Sequence, residues 1–153
     1  MPKIDIAKTG ERRGSGYPSP FDKPCLERAR KTLGDAGGLS DFGVNMLTLP
    51  PGAWSSQRHW HTKEDEFVYV LSGEVVLVDD RGEHILRAGD CAAFPKGDGN
   101  GHHLINKSNN DAVCLEVGTR STDDFCTYPD IDLQIDSRID KYAHKDGTLY
   151  PEK

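Results

Sequence analysis

From residue 42 to residue 119 the chain reads as short β-forming runs separated by turn residues, and this punctuation narrows the choice of fold more than any other feature. Val44, Met46 and Thr48 alternate with Asn45, Leu47 and Leu49 before the turn Pro50-Pro51-Gly52. Runs at 67–71 and 74–78 flank Ser72-Gly73, and Asp79-Asp80-Arg81-Gly82 leads as a hairpin turn into 83–87. Ala88-Gly89-Asp90 is a further turn before a strand ending at Phe94, and 102–106 and 112–119 complete the series. Successive strand residues point to opposite faces, so many short strands with regular turns predict an all-β sandwich or barrel.

Within this frame, His59-Trp60-His61-Thr62-Lys63-Glu64-Asp65-Glu66 carries the chemistry. Residues i and i+2 of a strand face the same side, so His59 and His61 aim two imidazoles at one point. Glu66, after a short loop, supplies a carboxylate from the next strand, and His102 supplies a third imidazole from farther along. Three imidazoles and a carboxylate suit a divalent first-row metal such as Fe, Mn, Ni, Cu or Zn.

The ordered set His59, His61, Glu66, Gly73, Gly89, Pro95, His102 and Asn106 resembles the two signature motifs of the cupin superfamily, G-x5-H-x-H-x3,4-E-x6-G and G-x5-P-x-G-x2-H-x3-N. Two spacings depart from it: six residues separate Gly52 from His59, and four separate Gly97 from His102. The longer second loop leaves His103 as an alternative ligand, while the spacing to Asn106 selects His102. The phrases FGVNMLTLPPGAWSSQRHWH, KEDEFVYVLSGE, GHHLINKS and LEVGTR are similar to small single-domain bacterial cupins loosely labelled sugar-phosphate isomerase-like, and the similarity extends more faintly to YPDIDL and HKDGTLYP. The resemblance implies a double-stranded β-helix, a jelly-roll-like barrel with an N-terminal arm. It implies a metal held by His59, His61, Glu66 and His102. It tilts the function toward an isomerase or epimerase acting on a small oxygen-rich molecule such as a sugar or sugar phosphate. An Fe(II)-dependent dioxygenase and a non-catalytic small-molecule binding module are the alternatives.

Composition removes other classes. The chain has 153 residues, enough for one domain with a core of its own. A formal net charge of −6 argues against a nucleic-acid partner, which needs a basic footprint. No apolar run approaches a membrane span of about 20 residues, and the start Met1-Pro2-Lys3-Ile4-Asp5 lacks the apolar segment of an export signal. A cytoplasmic setting is therefore expected. Cys25, Cys91, Cys114 and Cys126 form no C-x-x-C pair and read as free thiols, Cys91 as a buried one.

Residues 1–40 are polar and rich in Gly and Pro, and read as an arm that packs on the barrel or on a partner subunit; a homodimer is expected, as in related cupins. Within the arm, 25–33 is the one helical candidate, with Leu26, Ala29 and Leu33 at helical spacing. The barrel proper is expected over 41–126. A C-terminal extension over 127–153, with a strand near 131–135, is expected to wrap it. Gln57 shares the face of His59 and His61 and is a candidate to hydrogen-bond a substrate or a metal-bound water. His103 faces away from His102 and reads as structural, His84 and His144 as surface residues. Lys63, Glu64 and Asp65 read as a solvated turn. Arg58 and Lys96 are thin evidence for an anion site. Glu116 lies on the opposite face from Val113, Leu115 and Val117, and periodicity leaves open which face is inside.

Overall fold

Three neighbouring strands, β3 (Phe42–Leu49), β10 (Ala112–Thr119) and β5 (Glu66–Ser72), set up the architecture, because their inward residues change character along each strand. At one end Leu47, Leu49, Val70, Ala112 and Cys114 are fully buried. At the other end the same faces carry Asn45 and Gly43, Glu66, and Glu116 and Gly118, which line a cavity. One end of the barrel is therefore packed with hydrocarbon and the other is left open and polar.

The computed structural model describes residues 2–153. The remaining strands are β1 (Glu11–Arg13), β2 (Ala29–Thr32), β4 (Trp60–His61), β6 (Glu74–Asp79), β7 (Gly82–Arg87), β8 (Cys91–Phe94), β9 (His103–Ile105), β11 (Phe125–Tyr128), β12 (Leu133–Asp136) and β13 (Lys141–Ala143). They form a six-stranded sheet β1-β2-β3-β10-β5-β8, a three-stranded sheet β7-β6-β9 and a four-stranded sheet β13-β12-β11-β4. All pairings are antiparallel. The result is the expected all-β double-stranded β-helix. The main core packs Leu47, Leu49, Val68, Val70 and Cys114 of the large sheet against Val75, Leu77 and Leu104 of the three-stranded one. A second core gathers Tyr17 and Cys25 from the N-terminal segment with Cys126, Tyr128 and Leu133 from the C-terminal one. Among the described residues no helix is long and apolar enough to cross a membrane.

Several motif residues hold the fold. Gly73 has φ +78°, and a Cβ there would meet the Asp111 carbonyl oxygen at 2.6 Å, so the β5–β6 turn requires glycine. Asn106 is fully buried. Its amide donates to the carbonyls of Leu49 and Asn110, both at 2.7 Å, and its Oδ1 accepts from Ser108 N and Oγ.

Two expectations need correction. The segment 25–33 is not a helix. Lys23–Cys25 forms one 3-10 turn, Ala29–Thr32 is strand β2, and the helix α1 is the single turn Leu33–Ala36. Tertiary pairing outweighs the helical spacing: β2 pairs with β3 (Arg30↔Leu47, Thr32↔Asn45), Ala29 is buried, and Leu26 is left 50% exposed. Cys91 is exposed on edge strand β8, because it shares the outer face with its partner Tyr69. The four cysteines are free thiols, as expected. The C-terminal segment forms more than the strand expected near 131–135: β11 pairs with β4 and β12, so it completes the sheet that carries His61.

Candidate metal centre

His59 and His61 reach the barrel mouth from one short extended stretch. His59 pairs with His102 through an isolated bridge: its N–H donates to the His102 carbonyl at 3.2 Å, and its carbonyl accepts from the His102 N–H at 2.9 Å. His61 lies in β4, opposite Cys126. Glu66 opens β5, and its carboxylate is where the three rings meet. Nε2 of His61 lies 2.7 Å and Nε2 of His59 3.5 Å from Oε1, and Nε2 of His102 lies 2.5 Å from Oε2. The ring centres of His59 and His61 are 5.1 Å apart, those of His59 and His102 4.7 Å.

Each ring is oriented from behind. Nδ1 of His59 donates to the Gln57 carbonyl at 2.8 Å, and Nδ1 of His61 donates to Asp124 Oδ2 at 2.6 Å. Those bonds fix the tautomers and leave Nε2 of both rings facing Glu66. His102 is held by stacking: Phe94 lies parallel to it at 3.6 Å, while its buried Nδ1 has no hydrogen-bond partner. His103 is not at the cluster. Its Nδ1 donates to the Ser56 carbonyl at 2.8 Å and its ring meets the edge of Trp54.

Electrostatics follow from this geometry. Burial alone would raise the Glu66 carboxyl, but His59, His102 and His61 outweigh it and hold it well below the usual carboxylate range. Burial likewise works against a charged His61, yet its bonds to Asp124 and Glu66 push it up to about 10. Burial dominates at His102 and lowers it.

Three groupings bring potential ligand atoms within 4.8 Å of one another: His59–Glu66–His102, His59–His61–Cys126 and His61–Glu64–Asp124. Burial raises the Cys126 thiol well above its ordinary value in the metal-free chain. Asp124 bonds His61 through Nδ1, behind the ring, with Glu64 3.6 Å from the same nitrogen. Around Glu66 the candidate set is three Nε2 atoms and the carboxylate, with His59 and His102 grouped with Glu66 within 4.8 Å and Nε2 of His61 2.7 Å from its Oε1. Its donor chemistry fits a divalent transition metal.

Other expected site residues have definite places. Gln57 is buried and turned away, its amide donating to the Phe21 carbonyl at 2.8 Å, so only its backbone carbonyl serves the centre. Arg58 is tied to Asp130, Asp80 and the Gly101 carbonyl. Lys96 is exposed. The 63–65 turn is less solvated than expected: Glu64 reaches His61, and the Lys63 N–H donates to Asp124. Sequence reasoning missed Asp124, Phe94 and the wall of the cavity. That cavity, of about 440 Å³, has His59, Glu66 and His102 at one side and Arg28, Arg30 and Glu116 at another. Glu116 thus faces inward.

Comparison with known proteins agrees with this geometry. Residues 45–118 match the Cupin domain family. The chain superimposes on a Silicibacter pomeroyi structure described as a sugar phosphate isomerase from a cupin superfamily, at TM-score 0.92 and 46% identity over 98% of this chain and 97% of that one. It is also similar to an Acidithiobacillus ferrooxidans protein provisionally described as a sugar phosphate isomerase, at TM-score 0.68 and 31% identity, over 81% of this chain and 74% of that one. A Thermotoga maritima protein described as a predicted oxalate decarboxylase shares the fold, at TM-score 0.61 and 23% identity over 78% of this chain and 99% of that one. No curated protein matches it. An antiparallel double-stranded β-helix, the two histidine motifs and a near-full-length relative lead to one conclusion: the chain belongs to the cupin superfamily.

Proposed function

We propose that this cupin is a metal-dependent isomerase or epimerase acting on a small oxygen-rich molecule such as a sugar or sugar phosphate, with the metal held by His59, His61, Glu66 and His102. The observation that carries the reading is the convergence of three Nε2 atoms on one carboxylate at the edge of a cavity of about 440 Å³. The description of the Silicibacter relative as a sugar phosphate isomerase supports the choice of reaction.

When bound, a divalent metal supplies Lewis-acid polarisation of a carbonyl or hydroxyl oxygen. The chain's own residues do the rest. Asp124 and the Gln57 carbonyl hold His61 and His59 in the ligating tautomer. Glu66 brings the one negative charge among the four ligands and lowers the net charge of the centre. Phe94 and Val68 form apolar parts of the cavity wall. Glu116 is locked to Arg30 at 2.7 Å and contributes shape and charge to the same chamber.

The test is metal analysis of protein purified without added metal, followed by a screen of aldoses, ketoses and their phosphates with and without O₂. Metal-dependent, chelator-sensitive interconversion without O₂ is the expected result. Turnover that strictly needs O₂ would replace it with the Fe(II)-dependent dioxygenase. Saturable binding of a sugar or keto acid with no turnover would replace it with a binding module. Failure to take up any divalent metal would end the reading.

A further inference from the structure

Across the cavity from the histidines, the edge hairpin β1–β2 presents arginines that the metal centre does not use. Arg12 and Arg30 are direct cross-strand partners, and Arg28 lies two residues from Arg30 on the same face. Like charges placed directly opposite in a sheet cost stability. Arg28 and Arg30 come closer still. Nη1 of Arg28 and Nη2 of Arg30 both donate to one acceptor, the backbone carbonyl of Ser55, the second at 3.0 Å.

Their compensation is incomplete. Arg30 is paired with Glu116 at 2.7 and 3.1 Å, and Arg120, at the rim, is paired with Asp35. Arg28 is only 9% exposed and has no carboxylate partner. Its other bond goes to the Gly14 carbonyl at 2.9 Å, and its guanidinium lies 5.8 Å over the Tyr17 ring. Among the described residues, Arg12 has no hydrogen-bond or ion-pair partner, and neither do Nη2 of Arg28 and Nη1 of Arg30. All three side chains line the cavity that holds His59, Glu66 and His102, and they also line an adjoining cleft of about 200 Å³. A buried cation with no counter-ion is costly, and a charged ligand group that completes it recovers that cost.

We propose that Arg12, Arg28 and Arg30 form an oxyanion seat, so that the cavity takes small molecules with an anionic group at this end and the reacting carbon–oxygen end at the His/Glu cluster. Guanidinium forks match the planar pairs of oxygens of a phosphate or carboxylate. With Arg30 and Arg120 balanced, Arg12 and Arg28 are left over, and this charge count favours a phosphate dianion over a carboxylate. The inference rests on the isomerase reading only for what happens at the other end of the molecule.

The experiment titrates the chelator-treated full chain with inorganic phosphate, and separately with acetate, by isothermal calorimetry at neutral pH. The same samples are then assayed for uptake of Zn²⁺. Saturable phosphate binding is expected, weakened at least tenfold by Arg28→Gln and several-fold by Arg12→Ala. Arg12 is exposed, so its variant keeps the fold even if Arg28→Gln does not, and circular dichroism verifies both. Tighter binding of acetate than phosphate, with the same dependence on the arginines, would assign the seat to carboxylate-bearing molecules. No binding of either anion, or binding unchanged in Arg12→Ala and in a folded Arg28→Gln, would overturn the proposal. Metal uptake without anion binding would sink the seat and leave the metal reading standing. Arginine-dependent anion binding without metal uptake would do the reverse.

Discussion

Asp124 accepts a hydrogen bond at 2.6 Å from Nδ1 of His61, a residue 63 positions earlier in the chain. The same carboxylate accepts the Lys63 N–H through its other oxygen at 2.9 Å, so it fixes both the ring and the loop that follows it. Asp124→Asn keeps the shape but removes the charge. Partners behind a ligating histidine are typically worth about 10- to 100-fold in metal affinity. Competition with a chromogenic chelator should show a Zn²⁺ affinity lower by about that factor, and an unchanged affinity would remove Asp124 from the centre.

His102 and His103 provide a paired comparison. Of the two, His102 touches Glu66, while His103 is spent on the Ser56 carbonyl. His102→Ala should abolish most metal uptake by elemental analysis. His103→Ala should leave metal content intact while lowering stability by about 1–3 kcal/mol, since the Ser56 carbonyl then loses its buried donor. The opposite pattern in metal content would mean that the second motif ligates through His103.

Protonation of the metal-free centre should be visible in its stability. Against burial, the Asp124 and Glu66 bonds push His61 up to about 10 in the folded chain, above the ~6.5 of an unfolded histidine. The folded state therefore holds an extra proton between those values. The stability this contributes is complete below about pH 6.5 and is lost as pH rises toward 10. Asp124 is held below its ordinary range chiefly by the His61 bond, against the effect of burial, so its contribution is present at neutral pH and is lost on acidification. Urea midpoints of chelator-treated protein at pH 6, 8 and 10 should fall across this series. A rising midpoint would show that His61 is neutral in the folded chain.

The outer face of the six-stranded sheet bears on assembly. Phe67, Tyr69 and Leu71 on β5 are 38%, 38% and 47% exposed. Phe67 and Tyr69 are registered against Val117 and Leu115 of β10. Neighbouring exposed apolar side chains on one sheet face suit association, and we expect a second copy of the chain to cover them. Light scattering should give twice the chain mass, and Tyr69→Glu should weaken the dimer by about 2 kcal/mol or more. A wild-type monomer at micromolar concentration would rule the dimer out.

The parts of the molecule that sequence made legible are those set by local spacing. His59 and His61 share a face because strand residues alternate, and Glu66 and His102 follow at motif distances. Local spacing misled where a long-range partner decided the outcome. Leu26, Ala29 and Leu33 fit a helix, yet Arg30 sits in a strand because β3 offers it a ladder and Glu116 a carboxylate. Glu116 had no assignable face until β3 and β5 bracketed β10. Asp124 carried no signal in its neighbourhood, since only the closure of β11 onto β4 brings it behind His61.

The edge hairpin has a consequence for how such a protein diversifies. Arg12, Arg28 and Arg30 all precede residue 45, where the match to the cupin domain begins, whereas the four proposed ligands His59, His61, Glu66 and His102 fall inside it. The proposed anion seat and the proposed metal centre thus lie in separate stretches of chain. On that reading, rewriting the short β1–β2 pair would redirect the barrel to a different class of molecule while leaving the His/Glu cluster as it is.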